Sequence, residues 1–212
     1  MDHSDLTYFI GLDLGRGRNH TALVVLERSW RQATREEVMR SNAAPGFTGE
    51  YRYRVVGADR VSLGTPYPQI IKWVKSKIEA YKLLATIAGL IVDATGVGSA
   101  VMDYLRAANL SIRIIGTVIT GTQAAPVGIA GLTPTGYQTV SRNELLTSLQ
   151  LAVQDKRFTI SRKDCRESEA LCRELSLLRM EGKSPGSQDD LAFALALTVW
   201  WGMRKFARQP DS

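Results

Sequence analysis

Three apolar stretches each carry an acid that does not suit them. Asp13 sits in GLDLG, Asp93 in LIVDATG, and Asp189–Asp190 stand immediately before LAFALAL. A carboxylate in such a run is costly to bury unless it is paired or holds a cation. Neighbouring strands lie ~4.8 Å apart, so acids on adjacent strands can converge on one point, and an acid opening a packed helix can join them. Converging carboxylates repel one another and favour hard divalent ions; ligation by oxygen alone selects Mg²⁺ or Mn²⁺ rather than zinc. Two such ions, about 3.5–4 Å apart, can hold a phosphodiester, activate water and stabilise the leaving oxygen. Each acid also has an ordinary structural reading. Asp13 could end a strand and bond the glycine turn, and Asp93 could cap the turn into the next helix. Asp189 and Asp190 could be an N-cap and a first-turn acid favoured by the helix dipole. Their joint occurrence in a basic chain shifts the balance to metal chemistry.

The rest of the chemistry is weaker. Arg16, Arg18 and His20 follow Asp13 in the first turn, where they either face phosphate or form a solvated turn. His20 could be a general base, although a two-metal site does not require one. No G-x4-G-K-[ST] phosphate loop occurs, and GVG at 96–98 is too short and lacks the lysine. Cys165 and Cys172 have no C-x2-C spacing, which argues against zinc. Two buried, reduced thiols fit a cytoplasmic location. Trp73, Trp200 and Trp201 lie in helical runs and read as core.

Composition bounds the answer further. The 212 residues suit one domain without an interdomain linker, with short tails at 1–6 and 207–212. Lys and Arg number 27 against 21 acids, a net charge of +6 that favours an anionic partner, nucleic acid being the commonest. The longest apolar run, Leu191–Met203, falls short of the ~20 residues that span a bilayer, so no membrane association is expected. Asp2 and Asp5 stand where a secretory signal would be basic.

The elements that position these acids follow from patterning. Tyr8–Leu14 reads as a central strand, Thr21–Leu26 as its hairpin partner and Tyr51–Leu63 as a third strand, with Glu27–Gly49 irregular or partly helical. Ile70, Ile71, Val74, Ile78 and Tyr81 recur at helical spacing. Gly89–Ala94 reads as a buried parallel strand, 96–110 as a glycine-rich turn feeding a helix, and Ile112–Ile119 as another strand. Gly121–Thr139 reads as a long mobile loop or a hairpin. Ser141 and Glu144 have capping-box spacing before a helix to Val153. Arg157–Ile160 reads as a short strand, Cys165–Leu178 as a helix, and Asp189–Phe206 as the last helix. Three strands in succession, then helix-linked strands, then helices make an α/β mixed sheet: an antiparallel start, then parallel strands, flanked by helices. This is the ribonuclease H-like order.

At these motifs the chain resembles the C-terminal nuclease domain of phage large terminase subunits, within the ribonuclease H-like, RuvC-like superfamily. GLDLGRGRNHTALVVLE (11–27) is similar to the family's first acid motif and hairpin, and LIVDATGVG (90–98) to the second. TVSRNELLTSLQLAVQDKRFTIS (139–161) resembles the segment before the last helices, and QDDLAFALAL (188–197) the third motif. The resemblance implies a two-metal DNA endonuclease that cuts concatemeric viral DNA during head packaging in the host cytoplasm. It makes Asp13, Asp93 and Asp190 the catalytic metal ligands of Mg²⁺ or Mn²⁺, with Asp189 beside them. It also implies double-stranded DNA as substrate, and a terminase ATPase domain, small subunit and portal as partners. Two positions depart from the pattern: Gln188 stands where histidine is common, and Ser141–Arg142 replace Pro-Lys. No ATPase motor is found in these residues. An excised domain and a stand-alone product both remain open.

Basic groups for the DNA backbone are expected from Arg16, Arg18, Arg142 and Lys156 or Arg157. Gly121–Thr139 carries no charge and reads either as a flap over the cleft or as a surface loop. Three alternatives remain: a Holliday junction resolvase on the same fold, an ATP-binding phosphotransferase of the actin and sugar-kinase type, which GLDLG and DATGVG mimic loosely, and a non-catalytic DNA-binding module.

Overall fold

The structure, a computed structural model, describes residues 6–15, 19–40, 49–95, 98–121, 137–155, 157–178 and 188–205. In chain order the elements are β1 (Thr7–Asp13), β2 (Ala22–Gln32), α1 (Arg35–Arg40), β3 (Gly49–Arg60), α2 (Tyr67–Lys82), β4 (Thr86–Asp93) and α3 (Gly98–Ala107). They continue with β5 (Ile114–Thr120), β6 (Gln138–Ser141), α4 (Arg142–Gln154), β7 (Phe158–Ile160), α5 (Ser168–Leu177) and α6 (Asp190–Lys205).

The strands form one seven-stranded sheet in the order β6-β5-β4-β1-β2-β3-β7. β1, β2 and β3 pair antiparallel. β4, β5 and β6 then extend the sheet parallel to β1 on its other side, and β7 joins the far edge parallel to β3. This is the mixed sheet that the order of elements implies. β1 reads as a continuous apolar run because it is central and buried on both faces.

Two apolar layers enclose the sheet. On one face Ile70, Val74 and Ile78 of α2 and Met102 and Leu105 of α3 pack over Ile10, Leu12 and Leu90. On the other, α4, α5 and α6 cover Phe9, Val24, Ile91 and Ile115. α6 is apolar all round because α4 and α5 cover the side that the sheet does not. Burying a side chain such as Leu195 or Trp200 contributes roughly 1.5–3 kcal/mol each.

Gly11 sets how α6 lies. A Cβ there would collide with the Ala194 carbonyl, and it would stand 2.8 Å from Thr198 Cγ2. Further along, Gly202 faces the Phe9 ring, to which a Cβ would come within 3.6 Å. The helix therefore runs antiparallel to β1, and its N-terminus comes over the Asp13 end of the strand.

Three of the differences from expectation have a clear physical cause. β2 continues through Glu27 to Gln32; of the stretch expected to be irregular or partly helical, Arg35–Arg40 is a helix and residues 41–48 lie outside the described set. Glu27 stays in the strand because Arg54 of β3 grips its carboxylate with bonds of 2.9 and 3.0 Å. Residues 138–139, expected in the long loop, begin β6, which pairs with β5 from Thr117 to Thr120; residues 122–136 lie outside the described set. Cys165 precedes α5 rather than sharing its face: its Sγ donates to the Val55 carbonyl at 3.4 Å. Cys165 is buried and Cys172 half-buried, and both are free thiols. No helix among the described residues is long and apolar enough to cross a membrane.

Candidate active site

Pairing places one row of residues level across the sheet: Arg60, Ala22, Asp13, Asp93, Thr117 and Gln138. Residues level in neighbouring strands point to the same face. Here it is the α6 face, since Ala22 packs in that core and Gly11, two residues before Asp13, meets Ala194. Asp13 and Asp93 are thus direct neighbours at the carboxyl ends of two parallel strands. The start of α6, with Asp189 and Asp190 both buried, lies over that end. The helix dipole favours negative charge at this terminus.

The turns after each strand hold the acids in place. Thr95 N–H donates to Asp93 Oδ1 at 2.7 Å, while Thr95 Oγ1 accepts from Ile119 N–H at 2.7 Å. The turn bond expected of Asp93 in its structural role is therefore present. Only one of its two oxygens takes part in it. Burial pushes the Asp93 carboxyl above the ordinary aspartate range, against the opposing pull of the Thr95 bonds. Beside Asp93, the Thr117 hydroxyl is wholly buried and has no hydrogen-bond partner among the described residues. After β1, Gly15 N–H donates to Thr21 Oγ1 at 3.1 Å and closes the turn.

The described residues contain no three acidic, histidine or cysteine side chains gathered as a ready-made metal cage. The donor set nevertheless suits a hard cation: carboxylates from two adjacent strand ends, a buried hydroxyl beside them, and two buried acids on the helix above, all offering oxygen.

The other anticipated residues fall in different places. Arg142, at the start of α4, lies over the Phe193 ring at 4.5 Å, one turn into α6 from the acids. Its helix is capped as expected, with Glu144 N–H donating to Ser141 Oγ at 3.1 Å. The Glu144 carboxylate accepts from Trp200 Nε1 at 3.0 Å and ties α4 to α6. His20 is held by the end of β3: its Nδ1 donates to the Val61 carbonyl at 3.0 Å. Arg157 is not brought to the acids. It precedes β7 at the sheet's far edge, level with Arg52–Tyr53, and pairs with Asp155. That level lies roughly 20 Å along the strands from Asp13. Arg16, Arg18 and Lys156 lie outside the described residues.

Sequence reasoning missed Arg60 and Glu174. Arg60 closes the row of six at β3 and forms an ion pair with Glu174 of α5. The other Glu174 oxygen, Oε2, accepts from Ala192 N–H at 2.9 Å, an otherwise orphaned donor in the first turn of α6. The pair therefore anchors the turn that carries the acids. A signal was present: Glu174 falls on the helical face marked by Leu171, Leu175 and Leu178.

The sequence matches no family model and no curated protein. Its fold matches solved structures closely in extent. The human cytomegalovirus terminase nuclease domain, Mn soaked, aligns with a TM-score of 0.57 at 12% identity, covering 97% of this chain and 87% of that one. The nuclease domain of the large terminase subunit gp2 of bacterial virus Sf6 aligns with a TM-score of 0.55 at 13% identity, covering 100% and 91%. A mutant of that domain, with manganese and β-thujaplicinol, gives 0.54 at 13% identity. The chain thus has a ribonuclease H-like fold. Within that class, its architecture is the one found in terminase nuclease domains.

Proposed function

We propose that this protein is a Mg²⁺- or Mn²⁺-dependent DNA endonuclease that cuts concatemeric viral DNA during genome packaging. The observation that carries the reading is the level pairing of Asp13 with Asp93 beneath the acidic start of α6, on a fold shared with terminase nuclease domains. Asp13, Asp93 and Asp190 would hold two divalent ions, with Asp189 beside them. When bound, such ions supply the Lewis acidity that activates water and neutralises charge building on a phosphodiester.

The chain's own residues do the positioning. The Thr95 bond fixes the Asp93 carboxylate at the strand end, so it is oriented before any ligand arrives. Gly11 lets α6 approach β1 closely, with its N-terminus toward the Asp13 end of the strand, from which its acids would join the pair. Glu174 and Arg60 hold the first turn of that helix. Arg142, over the Phe193 ring beside the same turn, would supply a cation for a backbone phosphate. A terminase ATPase domain, a small subunit and a portal would be the partners in the full system.

Supercoiled plasmid, incubated with the protein and Mn²⁺ or Mg²⁺, tests the reading. Nicked and linear products with 5′-phosphates are expected, with EDTA and Asp13→Asn each removing most activity. Wild-type rates in Asp13→Asn would exclude the site. A four-way junction assayed beside linear duplex separates packaging-type cleavage from resolution, for which no strong preference is expected.

A further inference from the structure

The segment linking β7 to α5 climbs the free edge of β3. Ser161 N–H bonds the Val55 carbonyl at 3.0 Å and Glu167 N–H the Ala58 carbonyl at 3.0 Å. The climb ends two residues below Arg60, so the segment reaches the acid end of the sheet. Two strand spacings, about 10 Å, separate β3 from β1 there.

This segment and α5 enclose a polar concavity of about 500 Å³. Four cations line it: Arg162, Lys163, Arg166 and Arg173. All four are exposed, and none makes an ion pair with a described residue. Acids are close at hand. Glu167 and Glu169 share the lining, whereas Asp164 is engaged by Ser161 at 2.6 Å and lies 3.7 Å from Arg54. Four cations with no ion-pair partner among the described residues, held around one cleft, repel one another, so an anion spanning them gains from all four. The ligand should carry several negative charges at fixed spacing.

Resting on the nuclease reading of the acid row, we propose that this concavity docks the phosphodiester backbone of the duplex beside the scissile bond. Its distance from Asp13, a few strand spacings, lies within the width of a double helix. Arginine forks suit phosphate oxygens better than point charges do, and three of the four cations are arginine. The contacts fix register on the duplex and read no bases.

The test is the binding of a fluorescent linear duplex to the full chain in EDTA across a range of KCl concentrations. Two variants of equal charge change are compared: Lys163→Gln/Arg166→Gln at the concavity, and Lys72→Gln/Lys75→Gln on α2, which covers the opposite face of the sheet. All four residues are exposed, so melting temperatures should stay at the wild-type value. The slope of log K against log salt is expected to fall by about 1.8 in the first variant, at about 0.9 per lost phosphate contact, with affinity near 0.1 M salt down about tenfold or more. In Mn²⁺ its KM for DNA should rise while kcat holds. The α2 variant should keep the wild-type slope. The proposal is overturned if wild type binds and cleaves duplex but the concavity variant does so with unchanged slope and KM. It is equally overturned if both variants weaken binding alike, since general charge would then explain the effect. If wild type neither binds nor cleaves duplex, the nuclease reading itself falls.

Discussion

Replacing Asp93 with asparagine should stabilise the protein when no divalent ion is present. Asp13 and Asp93 stand level on adjacent parallel strands, so their side chains leave the sheet roughly one strand spacing, ~5 Å, apart, and that spacing sets the scale of their repulsion. Coulomb repulsion at that distance is about 1 kcal/mol in bulk water and about 3 kcal/mol at an effective dielectric near 20, which brackets a half-buried site. Asparagine keeps Oδ1, so the bond from Thr95 N–H survives the change. Asp93→Asn in EDTA at neutral pH should therefore gain about 1–3 kcal/mol, seen as a melting temperature about 2–12 °C higher for a chain of this size. The pH dependence has a definite sign. The Asp93 carboxyl is raised above its unfolded value, so wild type is favoured while it is protonated and loses stability as pH rises through the folded pKa. The gap between mutant and wild type should open from about pH 4 upward and close in acid. Millimolar Mn²⁺ should reverse the order, since wild type gains a ligand that the mutant has lost. A cycle with Asp13→Asn isolates the pair: the second neutralisation should gain less than the first. Strict additivity, or a destabilised Asp93→Asn in EDTA, would refute the convergence of these carboxylates.

Three further outcomes follow from the same geometry. Gly11→Ala drives a methyl into the Ala194 carbonyl and should cost about 1–3 kcal/mol in chemical denaturation; by lifting the start of α6 it should also weaken Mn²⁺ binding measured calorimetrically. Glu174→Ala leaves Arg60 and the Ala192 N–H without their partner and should cost about 3–5 kcal/mol, whereas Glu174→Gln, which keeps an acceptor for the N–H, should recover part of the loss. Burial pushes the Cys165 thiol up to about 11, and the group is enclosed, so at pH 8 a thiol reagent should modify Cys172 in the native protein and reach Cys165 only on unfolding; rapid native labelling of both thiols would contradict the packing.

Much of this arrangement was legible in local sequence. Alternation and apolar runs marked β1, β4 and β5; helical periodicity marked α2; Ser141 and Glu144 marked the cap of α4; and an acid at the end of each apolar run marked the candidate ligands. These signals are local because side-chain period and capping chemistry depend on residues within a turn or a few positions. The long reach of β2 was not legible, since Glu27 looks like a strand terminator until Arg54, 27 residues away, neutralises it. β6 was hidden because a four-residue edge strand is defined by its partner rather than by its own pattern.

The site divides along the same line. The sequence by itself determined that Asp13 and Asp93 end apolar strands and that Asp189 and Asp190 open an apolar helix. Only the tertiary structure decided that Asp13 and Asp93 are level, because a shift of one residue in register would send one of them to the opposite face. Only the structure brought α6 back along β1, through the space that Gly11 leaves open, and anchored its first turn to Glu174 and Arg60. It separated Arg157 from the acids by the length of the sheet and set Arg162, Lys163, Arg166 and Arg173 around one concavity instead. Pairing register and helix placement are settled by contacts between residues far apart in the chain, and no short stretch of sequence contains both partners.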